Sequence, residues 1–173
     1  MKAKSAPRSD ASAVAETASL AAQQTEGPGA KPVLTRILVG LDFSACSLRA
    51  LEYALLLAEP HRAALVLLHV FEPPGMGSEY LPAERNEWLQ SDLQAERDRL
   101  AELQRRRIAR RVDSDTLVRV GRAWSEIPET ARALGADLIV LGARGELSSK
   151  APLAGGTAEG VIRHAHCPVL LVP

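Results

Sequence analysis

Short strand-like segments alternate with longer helical segments along this chain. The strand-like segments lie at residues 35–41, 64–71, 115–120, 138–141 and 168–172. Nearly continuous apolar runs of this length, such as ALVLLHVF at 64–71, are typical of strands that are covered on both faces. The hydrophobic pattern therefore predicts five strands.

Helical patterns occupy the segments between these strands. The first helix has apolar residues at spacings of three and four, which places them on one face; they are Leu48, Leu51, Leu55 and Ala58. Ser44 or Ser47 is expected to cap this helix and Pro60 to end it. A second, highly charged helix is predicted over residues 83–111. Its narrow apolar stripe consists of Leu89, Leu93, Leu100 and Leu103, with Trp88 beside it.

Two shorter helices follow. The third is expected to begin with Ser125 as its cap and to hold Pro128 in its first turn, where proline is tolerated. Gly135 is expected to end it in the left-handed conformation. The fourth is predicted over residues 157–164. Strands and helices that alternate in this way predict an α/β fold with a doubly wound parallel sheet of five strands and four helices.

Glycines punctuate the loop that follows the fourth strand. They occupy positions 142, 145, 155 and 156, and a helical pattern begins at Thr157. Glycine allows positive φ angles and lets a ligand approach the backbone closely. A helix N-terminus offers unpaired N–H groups and a positive dipole end, which suit a phosphate. The loop therefore predicts a nucleotide-phosphate site, although a purely structural turn is the alternative.

Open doubly wound sheets bind ligands at the carboxyl ends of their strands, where the strand order reverses. If the first and fourth strands flank that point, Gly40, Leu41 and Asp42 face the same crevice as the glycine loop. Asp42 is expected either to contact a ligand or to cap the first helix. Arg144 and Lys150 are the cations close enough in sequence to neutralise phosphate charge, with a solvated role favoured for Lys150.

Composition narrows the class of protein. Lys and Arg together number 21, as do Asp and Glu, so the formal net charge is zero, which disfavours a general nucleic-acid binder. Two cysteines are too few for a disulfide framework, and no apolar run has the roughly 18 residues of a membrane span. We expect a cytoplasmic protein with no membrane partner. Residues 1–33, rich in Ala, Ser and Pro, are expected to form a disordered tail ahead of one domain at 34–173.

Other candidate chemistry has simpler interpretations. His164, His166 and Cys167 lie together, but no second ligand pair stands at zinc spacing, so no metal site is predicted. Cys46 and Cys167 are expected to be small buried residues, and His69 a buried residue rather than a general base. The sequence lacks a Walker lysine loop, a nucleophile elbow and a zinc-protease motif, so we do not expect an enzyme beyond weak hydrolysis of a bound nucleotide.

Three stretches together resemble the universal stress protein family: RILVGLDFSACSLRALEYA at 36–54, ADLIVLGARG at 136–145, and G-x-x-G-x9-G from Gly142, which is followed by TAE and HAHCPVLLVP. The resemblance covers residues 34–173. It implies a Rossmann-like sheet in the order 3-2-1-4-5, homodimers formed through the last strand, Val169–Val172, and, in one branch, ATP bound at the switch point.

Carried onto this sequence, the resemblance places Asp42 near the adenine and Val70 in the base pocket. The full set of residues expected to bind nucleotide is Gly40, Leu41, Asp42, Val70, Gly142, Ala143, Arg144, Gly145, Gly155, Gly156, Thr157 and Ala158. The backbone N–H groups of residues 155–158 are expected to hold the phosphates, with Mg²⁺ screening their charge.

One position departs from the ATP-binding pattern of the family. Ser or Thr usually follows the last glycine, and here that residue is Gly156. Thr157, one residue later, is a candidate to supply the missing hydroxyl. The sequence therefore predicts an ATP-binding, homodimeric stress-response regulatory module. The alternative is the branch of the family that does not hold ATP and works as a dimeric protein-interaction scaffold.

Overall fold

The structure of this chain, a computed structural model, describes residues 33–73, 85–108, 111–144 and 156–173. Within these ranges the elements are β1 (Arg36–Gly40), α1 (Ala45–His61), β2 (Ala64–Phe71), α2 (Arg85–Arg107), β3 (Ser114–Val120), α3 (Ala123–Leu134), β4 (Leu138–Gly142), α4 (Gly156–His164) and β5 (Val169–Val172). Nearly all of the predicted tail lies outside the described residues, so the disorder expected there stays a prediction.

The five strands form one parallel sheet in the order β3-β2-β1-β4-β5, as predicted. β1 lies at the centre, between β2 and β4. Gly40 at its end is in register with Leu68 of β2 on one side and with Leu141 of β4 on the other. The strand order reverses between β1 and β4, so the two stretches expected to share a crevice end side by side.

Each face of the sheet is covered by two helices, and each carries its own core. The α1 and α2 face is built from fully buried residues, including Leu51, Leu55, Leu65, Leu67 and Leu100. The α3 and α4 face is built from Leu38, Leu68, Ile127, Ile139, Leu141 and Val161 with their neighbours. Successive residues of a strand point to opposite faces, which is why Leu67 and Leu68 belong to different cores.

α1 begins as predicted and ends one residue later than predicted. The Ser44 side chain accepts the N–H of Ser47 at 3.2 Å and is the N-cap. Pro60, expected to end the helix, lies inside its last turn. The helix ends where Arg62 adopts the left-handed conformation (φ 54°) and the Ala63 N–H donates to the Ala58 carbonyl at 3.0 Å. This cap supplies partners for the last carbonyls, which a proline does not.

α3 begins earlier than predicted. Arg122, in an extended conformation, is the N-cap, and its carbonyl accepts the N–H groups of Ser125 and Glu126 at 2.9 Å. Ser125 is therefore inside the first turn, and the prediction that it caps the helix was wrong, because backbone bonding had already begun at Arg122. Pro128 consequently lies beyond the first turn. Gly135 ends the helix with φ 61°, as predicted.

α2 keeps the predicted apolar stripe. Leu93 and Leu100 are buried, and Leu103 packs against the same core. The helix ends at Arg107, four residues before the predicted limit, while residues 83 and 84 lie outside the described ranges. Among the helices that the structure describes, none has both the length and the apolar composition that crossing a bilayer requires.

Candidate functional site

A cavity of about 430 Å³ opens at the carboxyl ends of β1, β2 and β4, on the face covered by α3 and α4. This volume lies within the range of about 300–1,000 Å³ that is usual for small-molecule sites. Its lining residues in the described ranges are Gly40, Leu41, Asp42, Ser47, Leu68, Val70, Glu72, Ala123, Ile127, Leu141, Gly142, Ala143, Arg144, Gly156, Thr157 and Ala158. The cavity occupies the switch point of the sheet.

The lining includes ten of the twelve residues predicted from sequence to bind nucleotide. They come from the ends of three strands and the start of α4, so the fold brings together residues as distant in sequence as Gly40 and Ala158. The remaining two, Gly145 and Gly155, lie outside the described residues, as does Lys150.

Six lining residues were missed by the sequence analysis: Ser47, Leu68, Glu72, Ala123, Ile127 and Leu141. Glu72 carried a usable signal, because it follows β2 closely, much as Asp42 follows β1, and the carboxyl ends of parallel strands meet at one edge. Ala123 and Ile127 gave none, since their place in the lining depends on how α3 crosses the sheet.

The floor of the cavity is apolar. Leu68, Leu141 and Ile127 are buried beneath it. A Cβ atom on Gly40 would lie 2.4 Å from Leu141 Cδ2 and 3.3 Å from Ile127 Cδ1. Gly40 therefore lets these two side chains close over the end of β1, and the result is an apolar surface of the kind that small-molecule sites present.

The rim of the cavity is polar and carries the N-terminus of α4. Gly156 and Thr157 are exposed there, and the exposed Arg144 contributes a cation from the β4 end. The first N–H groups of a helix have no partners within the helix and attract anions. Within the described part of the chain, a Cβ on Gly156 would meet no neighbouring atom within 4 Å.

Gly142 serves packing between elements. A Cβ at this position would lie 2.9 Å from the Cys46 carbonyl carbon and 2.9 Å from the Ser47 nitrogen. The end of β4 therefore touches the backbone of the first turn of α1, and only glycine permits that distance. The sequence analysis explained this glycine by the close approach of a ligand. The structure shows that contact with the α1 backbone requires it as well.

Asp42 and Phe43 form the turn that connects β1 to α1. Asp42 Oδ1 accepts the Ser44 N–H at 3.0 Å, while Asp42 itself lines the cavity. It thus braces the helix start, whereas the capping side chain is that of Ser44. Phe43 has φ 62°, a left-handed conformation that is uncommon for a bulky residue and costs on the order of 1–3 kcal/mol. The surroundings must hold this turn in place.

The candidate metal and thiol groups have structural partners. His164 Nδ1 contacts the Gly160 carbonyl at 2.7 Å, and its ring packs against Trp124 with centroids 5.5 Å apart. Among the described residues, no group of three or more His, Cys, Asp or Glu is gathered around a possible ion. Cys46 and Cys167 are half-buried, so the prediction that both are buried was wrong. Burial, followed by the negative charge of Asp137, raises the pKa of the Cys167 thiol.

Comparisons with known proteins agree with this architecture. The model of the universal stress protein family matches residues 34–173. A universal stress protein of Methanocaldococcus jannaschii is 35% identical over 140 residues, which cover 79% of this chain and 81% of the relative.

Two solved structures extend the comparison. Universal stress protein UspA from Lactobacillus plantarum superimposes with a TM-score of 0.70 at 28% identity, covering 83% of this chain and all of that one. A universal stress protein solved in complex with cAMP has a TM-score of 0.54 at 26% identity, covering 81% of this chain and 97% of that one. The chain belongs to the universal stress protein family.

Proposed function

We propose that this protein is an adenine-nucleotide-binding regulatory module of the universal stress protein family, and that its ligand is ATP with Mg²⁺. The observation that carries the proposal is one cavity in which an apolar floor meets a helix N-terminus at the switch point of the sheet. The relative solved with cAMP, which has the same fold, supports an adenine nucleotide as the class of ligand.

The lining residues fit the parts of such a ligand. Val70, Leu68 and Ile127 offer an apolar surface to the base, and Asp42 lies where it can accept a hydrogen bond from the base or the ribose. The N–H groups of Gly156 and Thr157 and the guanidinium of Arg144 would hold the phosphates. When bound, Mg²⁺ screens the charge of neighbouring phosphate oxygens.

We propose binding rather than turnover as the activity. The residues on the rim supply positive charge and backbone donors, which position an anion. Efficient phosphoryl transfer also needs a group that orients the attacking nucleophile. The described lining contains two carboxylates. Asp42 accepts the Ser44 N–H and is assigned here to the base or the ribose, and Glu72 is exposed. We expect a signalling role, in which a protein partner binds the nucleotide-bound state of the protein.

A dimer through β5 is the second part of the proposal. β5 lies at one end of the sheet order and pairs with β4 alone in the described chain. The carbonyls of Pro168 and Val172 accept N–H groups from the β4 side, so the intervening N–H groups of Val169 and Leu171 face the free edge. An apolar edge strand of this kind is an aggregation liability that pairing with a second copy removes.

Gly156 favours the alternative, a dimeric scaffold of the same family that does not retain ATP. A serine or threonine at this position would supply a hydroxyl to the phosphates, and glycine supplies only its N–H. The difference is testable, because a Cβ atom on Gly156 would meet no described residue within 4 Å, so a serine can be introduced there.

The first experiment separates the two functions. Native mass spectrometry of the purified full chain is expected to show a dimer with bound adenine nucleotide, and titration calorimetry with ATP and Mg²⁺ measures the affinity. Val70→Phe fills the floor and should weaken binding at least about tenfold. Val120→Phe, the matched control on β3 outside the cavity lining, should bind as the wild type does. Equal affinity in both variants would remove the cavity from the proposal.

A second variant measures the contribution of the missing hydroxyl. Gly156→Ser is expected to tighten ATP binding by about three- to tenfold, because a hydrogen bond to a charged phosphate contributes about 1 kcal/mol or more. Gly156→Ala is the control that adds the Cβ without the hydroxyl. If ATP binds neither the wild type nor Gly156→Ser, the scaffold function is the better one.

The dimer has its own test. Leu171→Pro removes an N–H that faces the free edge and leaves the bonds to β4 in place, so sedimentation at micromolar protein should show a monomer. Leu171→Ala loses the same side-chain packing but keeps the N–H, and it should remain dimeric. A wild type that sediments as a monomer contradicts the dimer directly.

A further inference from the structure

The face of β2 opposite the cavity carries a contact group that we name the His69 clamp: His69, Phe43, Glu96 and Arg99. His69 Nδ1 lies 2.8 Å from the carbonyl oxygen of Leu41, and Nε2 lies 3.6 Å from Glu96 Oε2. The ring packs against Phe43 with centroids 4.9 Å apart. Arg99 lies over the Phe43 ring, with its guanidinium carbon 3.8 Å from the ring centroid.

The clamp holds the turn that borders the cavity. Leu41 and Asp42 line the cavity, and Phe43 follows them in its strained conformation. His69 itself does not line the cavity, because Val70, the next residue, takes that side of the strand. His69 therefore touches the turn and not the space for a ligand, and it can act on binding only by positioning Leu41 and Asp42.

The two nitrogen contacts of His69 cannot both be hydrogen bonds when the ring is neutral. Each faces an oxygen that only accepts: the Leu41 carbonyl on one side and the Glu96 carboxylate on the other. A neutral imidazole carries one N–H, whereas the protonated ring carries two. Consistent with this, Glu96 Oε2 is buried without a hydrogen-bond partner in the described structure, at a distance from Nε2 that suits an ion pair but exceeds a hydrogen bond.

We propose that His69 is a positioning residue for the nucleotide site and that its protonation closes the clamp: the doubly protonated ring bridges the Leu41 carbonyl and Glu96, fixes the Leu41–Asp42–Phe43 turn, and tightens nucleotide binding as the pH falls. The inference rests on the proposed nucleotide function and adds a regulatory input, the pH, to the same site. Loss of the proton leaves the turn attached to β2 and in contact with Arg99, but removes its link to Glu96.

The charged groups that face His69 in the described structure come from α2. Glu96 is the nearest, and Arg99 lies 4.0 Å from Glu96 Oε2 and partly balances its charge. Asp92 precedes Glu96 by one helical turn and is half-buried on α2. From the other elements, the Leu41 carbonyl and the Phe43 ring contact His69, and Val118 of β3 is its register partner. Asp42, the charged residue of the turn, lies between Leu41 and Phe43 and lines the cavity.

Two variants on this face test the clamp without altering the cavity. In Glu96→Gln, the side-chain amide can donate to a neutral Nε2, so the clamp closes at any pH. In His69→Asn, the side-chain amide can still donate to the Leu41 carbonyl but cannot reach Glu96, so the clamp stays open at any pH. Thermal unfolding followed by circular dichroism establishes that both variants are folded.

The measurement is the affinity for ATP with Mg²⁺ at pH 6 and at pH 8. Between these values the wild-type affinity should fall about three- to tenfold more than that of either variant, since histidine is the side chain that titrates in this range. Titration of the phosphates of the ligand occurs in all three proteins and cancels. Glu96→Gln should bind more tightly than His69→Asn at pH 8. Identical pH profiles in the three proteins would overturn the clamp.

A ligand-free measurement distinguishes failure of the clamp from failure of the proposed function. In long-range ¹H–¹⁵N spectra of the full chain, His69 is identified by its absence in His69→Asn. Its Nδ1 should carry a proton throughout the pH range, while Nε2 gains one as the pH falls. If no nucleotide binds but this pattern appears, the clamp stands and the nucleotide function falls. A neutral ring that carries its proton on Nε2 would contradict the clamp.

Discussion

His69 and Val70 are neighbours on β2, yet they lie in opposite environments. Val70 lines an open cavity on the α3 and α4 face, whereas His69 lies under Phe43 and Glu96 on the α1 and α2 face. At the carboxyl end of the same strand, one face is left open and the other is filled. The filled face holds the turn that shapes the open one.

The difference arises from where the helices begin. α1 starts immediately after the β1 turn, and its first turn touches the end of β4 at Gly142. α2 brings Glu96 and Arg99 to the end of β2 on the same face. α3 and α4 start at Ala123 and Gly156, and both of these residues line the cavity. The cavity thus lies where two helix N-termini face an apolar floor.

The largest expected effect comes from closing the contact between α1 and β4. Gly142→Ala places a Cβ against main-chain atoms that cannot rotate away, and we expect it to lower the free energy of unfolding by about 3–5 kcal/mol. Gly156→Ala, on the open rim, should change it by less than about 1 kcal/mol. Urea unfolding measures the change in the free energy of unfolding for each variant. Equal changes would show that the two glycines do not differ in packing.

A second pair compares the two cores directly. Leu100→Ala, on the filled face, should cost about 3 kcal/mol of stability and leave ATP affinity nearly unchanged. Ile127→Ala, beside the cavity, should cost about 1.5 kcal/mol, because the open space already deprives one side of contacts, and should weaken ATP binding. Unfolding and calorimetry on both variants check the contrast. A larger loss of stability in Ile127→Ala than in Leu100→Ala would mean that the cavity face is the better packed one.

The smallest effect concerns the thiol at Cys167, which follows α4 and packs against the α3 and α4 core. Burial first, and then the charge of Asp137, raises its pKa, so less of it is thiolate near neutral pH. We expect Cys167, measured in Cys46→Ser, to react with a disulfide reagent at pH 7 more slowly than a model cysteine peptide and to accelerate as the pH rises. Rapid reaction would show that this face is open along its whole length.

Sequence patterns were most informative where a residue type strongly favours one backbone conformation or one secondary-structure element. The apolar runs located all five strands, the Gly135 cap was predicted correctly, and Ser44 was one of the two residues expected to cap α1. Ser125 and Pro60 misled, because serine favours a cap and proline an end without requiring either one. In both cases a backbone cap made by an arginine, Arg122 or Arg62, set the boundary instead.

The sequence by itself determined the strands and their alternation with helices, since these follow from local hydrophobic periodicity. The family and most of the residues that line the cavity followed from the resemblance of three stretches to the universal stress proteins. Only the tertiary structure decided that Glu72 and Ile127 complete the lining, that Gly142 is needed by α1, and that His69 lies between Leu41 and Glu96. The physical reason is distance: such contacts join residues tens of positions apart, and no periodicity along the chain encodes which side chains will meet across a helix and a strand.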